Sequence, residues 1–237
     1  MFYIDFIKGR KVVKSDLLAE VEHFFTTREL CLFSKEEDMS ANRELVEEYL
    51  GVKMATNRPV HGVDIAKITQ NKLLYYDVDG LLVENGAVYM NFGDCTPLLF
   101  SFGQGAMIAH AGWRGTAQNM AKVAVRRIID EYGILPENIK VAIGPAICGK
   151  CYEVGKDVYD ALALTVQDMV QGFSRQDGKY FVDLKQINEQ QLRECGVKQI
   201  DVCPYCTACG EKLFYSYRYE NQTGYRHSAV VKVSRNI

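Results

Sequence analysis

The sequence predicts an α+β fold of packed layers, with residues 1–237 forming a single domain. Three observations lead there. Short apolar runs separated by glycine-containing turns fill residues 63–109. A strongly amphipathic helix follows them. After that, strands and helices alternate loosely, without the strict strand–helix–strand order of a doubly wound sheet. At 237 residues and 48% hydrophobic content the chain is large enough to bury a substantial core.

The elements can be taken in order. Residues 11–22 and 41–50 mix charged and apolar positions, as surface helices do. The second opens on Ser40 as N-cap and ends before Gly51. Residues 88–92, 98–102 and 106–109 read as buried strands. Cys95 stands just before one of these and His110 at the end of another, so antiparallel neighbours bring the two together. Thr116 is then expected to cap a helix whose Ala117, Met120, Ala121, Ala124, Ile128 and Tyr132 share one face, closed by Gly133. A buried strand at Val141-Ala142-Ile143 runs into Gly144-Pro145. Helices are expected from 157 to about 170 and from Asp183 to Gly196, the latter with Leu184, Ile187 and Leu192 inward. The tail reads as a hairpin, 213–218 and 226–233, around Asn221-Gln222-Thr223-Gly224.

Composition narrows the function. The 28 basic and 30 acidic residues leave a net charge of -2, which gives no electrostatic footprint for nucleic acid. The apolar runs are strand-sized, so no membrane span is predicted. Met1-Phe2-Tyr3-Ile4-Asp5-Phe6 lacks the basic and long apolar parts of a signal peptide, and the expected location is cytoplasmic. The eight cysteines are then expected to be reduced, metal-binding or catalytic.

The chemistry concentrates in three short motifs: Val60-His61-Gly62, Asp94-Cys95-Thr96-Pro97 and Ala109-His110-Ala111-Gly112-Trp113-Arg114-Gly115. One thiolate and two imidazoles make a good zinc set, and three protein ligands leave a position open for water or substrate. Other motifs fail on their own chemistry. Gly144-Pro145-Ala146-Ile147-Cys148-Gly149-Lys150-Cys151 nearly spells a phosphate loop, but Cys151 stands where a hydroxyl must hold magnesium. None of His23, His61, His110 and His227 has Glu two residues on, which excludes the zinc nucleobase deaminases. Cys203-Pro204-Tyr205-Cys206 lies too late in the chain for a thioredoxin-type dithiol. With Cys209 it has iron–sulfur spacing but lacks the following fourth cysteine, so these thiols are expected simply to be buried in a turn. His23 is expected to be structural, in the first surface helix, and His227 to be a half-exposed strand residue.

Taken together, Pro59-Val60-His61-Gly62, Asp79-Gly80, Asp94-Cys95-Thr96-Pro97-Leu98-Leu99-Phe100, the His110 block and Gly144-Pro145-Ala146-Ile147 with Cys151-Tyr152-Glu153-Val154-Gly155 resemble one family. It is the family often labelled polyphenol oxidase or laccase-domain proteins and later recognised as zinc-dependent purine nucleoside phosphorylases. Asp183-Leu184-Lys185, Pro204-Tyr205-Cys206-Thr207 and Phe214-Tyr215-Ser216-Tyr217-Arg218 extend the match over nearly the whole chain from Asn42. The resemblance implies helices sandwiching two mixed β-sheets, with metal held by His61, Cys95 and His110. It also implies phosphorolysis of adenosine, inosine, guanosine or methylthioadenosine, and adenosine deamination. Two departures from the family pattern lie near the expected substrate pocket: the segment after Thr26-Thr27-Arg28, and Pro59 where glutamine is often found.

The laccase label does not fit the composition. A multicopper oxidase needs many more imidazoles, often in His-x-His pairs, whereas this chain has four histidines and no such pair. Zinc is the expected metal, with copper loading in vitro giving at most weak phenol oxidation. Arg43 and Arg114 are candidates for phosphate, since guanidinium binds oxyanions bidentately. Asp79 and Cys151 are further candidates around the substrate, with Asp79 and Asp94 able to orient the histidines as well. The expected partners are therefore a purine nucleoside and phosphate, with neither nucleic acid nor membrane. Two rival readings remain at this stage. Cys95 acts as nucleophile and His110 as base in a metal-free amide hydrolase on a peptide or cell-wall precursor. Alternatively, a fourth ligand, His227 or Cys151, closes a structural zinc site.

Overall fold

Residues 1–69 and 71–234 are described by the structure, a computed structural model. Two large mixed sheets lie face to face. The first runs β1 (Phe2–Ile7), β2 (Arg10–Ser15), β3 (Glu22–Thr26), β16 (His227–Val233), β8 (Gly86–Phe92), β4 (Met54–Arg58) and β6 (Leu74–Tyr76). The second runs β15 (Gln199–Val202), β11 (Lys140–Ile143), β9 (Thr96–Ser101), β10 (Ala106–Ala111), β7 (Gly80–Val83) and β5 (Ile65–Lys67). A small antiparallel sheet of β12 (Glu153–Val154), β14 (Lys179–Val182) and β13 (Phe173–Gln176) sits to one side.

Period-2 alternation explains the layers. Leu99, Ala106, Ile108 and Ala142 of the second sheet meet Phe25, Val88, Met90, Phe92 and Val231 of the first in the central core. The intervening residues, Leu98, Phe100, Met107, Ala109 and Val141, face outward onto α3 (Met120–Tyr132) and α5 (Leu184–Glu194). On the far side, Phe24, Ala87, Tyr89 and Val230 pack against Val46 and Leu50 of α1 (Ser40–Leu50). Strands buried on both faces read as unbroken apolar runs, which is why β9 and β10 were visible in the sequence. The α+β class and the two mixed sheets between helices hold, with the small third sheet as an addition.

Several expectations need correction, among them that of a half-exposed His227, which is fully buried in β16. Residues 11–22 are β2, a short 3₁₀ turn and the start of β3 rather than a helix. Val12 faces the α1 layer and Val13 the central core, so a strand buried on both sides looked like a helical mixture. Lys8 and Gly9, both at positive φ, make the two-residue hairpin turn that feeds β2. Thr116 does not cap the long helix: it lies within α2 (Trp113–Ala117), its hydroxyl bound by Asn188, and α3 begins after Asn119 at φ 62°. α4 (Lys156–Ala163) ends early, because Leu164 beyond it is 88% exposed and has no core to join. Residues 213–218 form no strand, because the backbone is drawn across to Asp94 instead. His23 is structural but lies in β3. It accepts from the Ser15 amide and its other ring nitrogen donates to the Val21 carbonyl.

Candidate metal centre and cleft

β9 and β10 pair antiparallel, with His110 opposite Pro97 and Ala111 opposite Thr96, so Cys95 at the mouth of β9 faces His110. By the alternation of β10, His110 projects with Ile108 into the space between the sheets. There it is buried and stacks on Phe92 with centroids 5.2 Å apart. His61 arrives from an irregular loop. Its ring meets that of His110 edge-on at 5.2 Å, and it is exposed while Cys95 is half-buried. The three side chains bring one ligand atom each to within 4.8 Å of the others.

Asp79 explains why the loop holds this shape. Its carboxylate is fully buried and accepts from the amides of Val60 (3.2 Å), His61 (3.0 Å) and Gly62 (2.8 Å). His61 has φ 64°, a conformation costly to a residue with Cβ. Three charge-assisted bonds from consecutive amides hold it there. Asp79 Oδ1 also lies 3.6 Å from His110 Nδ1, beyond hydrogen-bond length. That nitrogen is buried with no hydrogen bond of its own, which leaves Nε2 to face the other ligands. Asp94, beside Cys95, is held at φ 74° by Thr207 Oγ1 (2.5 Å), Ser216 Oγ (3.1 Å) and the Arg218 amide (2.7 Å).

The electrostatics favour a bound cation. Burial raises the Cys95 thiol, but the facing His110 and His61 outweigh it and bring it down to about 6. Burial disfavours the His110 cation, yet the Cys95 and Asp79 charges raise its pKa to about 9. Burial likewise opposes ionisation of Asp79, and His110 with the loop amides holds it below the usual carboxylate range. Both shifts favour the thiolate–imidazolium form of the pair, and a divalent metal would take the place of the proton. Space is reserved as well. A Cβ on Gly112 would lie 2.9 Å from Cys95 Sγ and 3.6 Å from His61, so only glycine leaves the sulfur free on that side. The residues present fit a soft divalent ion with an open coordination position. Among the described residues the group has three members. His227 instead stacks on Phe92 and bonds the Pro145 carbonyl, and Cys151 lies in a separate cluster of thiols.

A cleft of ≈ 580 Å³ opens beside the centre, walled by Trp113, Tyr152, Val158, Arg218 and Tyr219. Its walls do not include the three ligands themselves; Trp113 follows Gly112, and the Tyr152 phenol is close enough to feel the Cys95 charge. Burial first, and that charge second, push Tyr152 up to about 12, so it stays a neutral donor. Arg114 is exposed, with its guanidinium 4.2 Å above the Trp113 ring. Arg43 turns instead to the Leu32 carbonyl (3.1 Å) and Asp38 (3.4 Å). Cys151 lines the cleft. The structure thus brings Cys151 to the cleft wall, lays Arg114 over Trp113 at its border, sets Asp79 beneath the ligands and leaves Arg43 engaged elsewhere. Sequence reasoning assigned no role to Arg218 or Tyr152. Arg218 bonds the Glu153 carbonyl (2.8 Å) and lies over Tyr152 at 5.1 Å. Their signal was the aromatic block ending at Arg218, which has no chemistry until the fold closes it on Asp94.

Residues 30–233 match the family model described as multi-copper polyphenol oxidoreductase laccase. The purine nucleoside phosphorylase YlmD of Geobacillus stearothermophilus is 34% identical over 214 residues, covering 82% of this chain and 78% of its own length. A purine nucleoside phosphorylase of Deinococcus radiodurans is 32% identical over 248 residues, covering 96% and 94%. The crystal structure of YlmD from Geobacillus stearothermophilus superposes with TM-score 0.88 at 29% identity, covering 94% of this chain and 96% of that one. On these matches and on the geometry of its Cys/His₂ group, the chain belongs to the multi-copper polyphenol oxidoreductase laccase family, among relatives named purine nucleoside phosphorylases.

Proposed function

We propose that the chain is a zinc-dependent purine nucleoside phosphorylase whose metal is held by His61, Cys95 and His110. The observation behind this reading is the Cys/His₂ group, with His61 exposed, close to a cleft walled by Trp113 and Tyr152. Zinc there would act as a Lewis acid on an oxygen at its open position. Trp113 and Tyr152 offer faces for a purine ring. Arg114 and Arg218 supply positive charge for phosphate, and the neutral Tyr152 hydroxyl is a hydrogen-bond donor to the ribose or base. In phosphorolysis a phosphate oxygen bonds to C1′ as the C1′–N9 bond breaks. The electron pair passes into the purine, which takes a proton. Adenosine, inosine, guanosine and methylthioadenosine all present that bond. Adenosine deamination at the same centre would use water in place of phosphate.

One observation favours a second reading. The thiol of Cys95 is lowered and the imidazole of His110 raised, each by the other, which favours the thiolate–imidazolium pair that an amide hydrolase uses. The exposed His61, aimed at the same thiolate, has no task in that chemistry, and so the metal reading is preferred.

The test is chromatography of purified protein with adenosine, with and without phosphate, alongside Cys95→Ser. Adenine release that needs both phosphate and Cys95 supports the phosphorylase. Inosine formation without phosphate makes the centre a deaminase. No turnover in zinc-loaded protein, with amide hydrolysis lost on alkylating Cys95 in metal-free protein, overturns the reading in favour of the hydrolase.

A further inference from the structure

The thiols that the sequence appeared to leave in a turn converge with two others. Cys148, Cys151, Cys206 and Cys209 place their sulfurs within 4.8 Å of one another, and Cys148 and Cys209 are 3.8 Å apart. Cys203, the first cysteine of the apparent dithiol motif, is not among them: it is fully buried in the central core. The two thiols that Cys206 and Cys209 lack are therefore supplied by Cys148 and Cys151 of the loop after β11.

From this geometry we propose a second metal site: Cys148, Cys151, Cys206 and Cys209 bind one zinc ion as a closed tetrathiolate that staples the 144–152 loop to the 203–212 loop.

Four features support it. Both halves have the C-x₂-C spacing of zinc-binding turns: Cys148-Gly149-Lys150-Cys151 and Cys206-Thr207-Ala208-Cys209. A Zn–S bond of ~2.3 Å sets tetrahedral edges of about 3.8 Å, and the Cys148–Cys209 separation already equals that edge. The backbone is also arranged to take up sulfur charge. The Ala208 amide donates to Cys206 Sγ at 3.3 Å and the Cys148 amide donates to the same sulfur at 3.3 Å. The two loops are already side by side, through the parallel bridge of Ala146 with Cys206 and the Thr207 amide on the Ala146 carbonyl (3.2 Å). Four protein ligands leave no open position, so the site is structural.

Its place in the fold makes it consequential. Cys151 is followed directly by Tyr152 on the cleft wall, and Tyr219 Oη donates to the Cys151 carbonyl at 3.0 Å. Thr207, between the two later cysteines, donates to Asp94 beside Cys95.

The experiment is zinc analysis of the full chain expressed with zinc, beside Cys209→Ser, the double variant Cys148→Ser/Cys151→Ser, His61→Ala and, as a control outside both groups, Cys195→Ser. Replacing either knuckle is expected to remove one zinc equivalent while His61→Ala leaves it in place. In cobalt-loaded protein, the intense thiolate-to-metal absorption of a tetrathiolate should vanish in Cys209→Ser and persist in His61→Ala. Should the variants fail to fold, mercurial titration of unaltered protein serves: one zinc equivalent should be released as these four thiols are blocked, and no release from them would overturn the site. Zinc content unchanged in both knuckle variants overturns the site, as does a native mass showing these thiols paired as disulfides, or stoichiometric iron with sulfide in their place. None of these results bears on nucleoside turnover, so this site stands or falls apart from the proposed activity.

Discussion

Replacing Asp79 with alanine removes one buried carboxylate and three hydrogen bonds at once, those from Val60, His61 and Gly62. Bonds to an ionised acceptor are worth roughly 1.5–3 kcal/mol each, and three on adjacent residues of one loop overlap, so a loss of about 3–5 kcal/mol is expected. Water entering the vacated space recovers part of the donors' need, which places the value towards the lower figure. With an m-value of roughly 3 kcal/mol per M for a chain of this size, the urea midpoint should fall by about 1 M or more. The same substitution frees His61 from φ 64° and takes the negative charge from behind His110. Zinc affinity, measured by competition with a chromogenic chelator, should drop roughly ten- to hundredfold. Asp79→Asn keeps the volume and one acceptor oxygen, and should lie between wild type and alanine on both readouts. An alanine variant within ~0.5 kcal/mol of wild type that binds zinc as tightly would refute the idea that Asp79 organises the centre.

Three other outcomes follow from single observations. Gly112→Ala places a Cβ 2.9 Å from Cys95 Sγ in a backbone conformation alanine adopts freely; thermal stability should shift by no more than ~1 kcal/mol while zinc affinity falls at least tenfold, and equal affinity would show that the sulfur has room. His227 is buried and neutral, its pKa brought to about 3 by burial first, against a lone bond to the Pro145 carbonyl. Because the folded value lies below the unfolded ~6.5, the unfolded chain alone takes up the proton in between, so this contribution is complete above ~6.5 and declines by about 1.4 kcal/mol per pH unit as pH falls. His23, also lowered by burial, adds to that slope. Denaturation of His227→Gln between pH 6 and 4.5 should show a shallower pH dependence by roughly 1.4 kcal/mol per unit, and an unchanged slope would place the sensitivity elsewhere. Trp113→Ala removes a cleft wall and the platform under Arg114, so on the proposed reading KM for nucleoside should rise about tenfold with zinc content unchanged; an unaltered KM would take the purine out of this cleft.

How much of this was legible depended on how local the determining contacts are. The approach of Cys95 to His110 followed from two apolar strands and the turn between them, because antiparallel register is a short-range property. The position of His61 did not: it is fixed by Asp79, a carboxylate on a different element, holding a loop in a conformation that no propensity favours. Residues 11–22 were misread because Val12 and Val13 are both buried, on opposite faces, and a doubly covered strand loses its alternation. The four-thiol cluster was hidden for a related reason. Each C-x₂-C pair is incomplete by itself, and contacts distant in sequence, such as the bridge of Ala146 to Cys206, make the two loops neighbours. The tail looked like a hairpin because its aromatic residues have strand-like composition, while Asp94 decides their actual path.

Anomalous diffraction from crystals of the zinc-loaded protein, recorded on both sides of the zinc edge, tests the central claim most directly. The account predicts a peak within bonding distance of His61, Cys95 and His110, with a non-protein ligand in the fourth position facing the cleft. A peak completed by a fourth side chain, or no peak at these three residues in crystals of protein that turns over nucleoside, would contradict it.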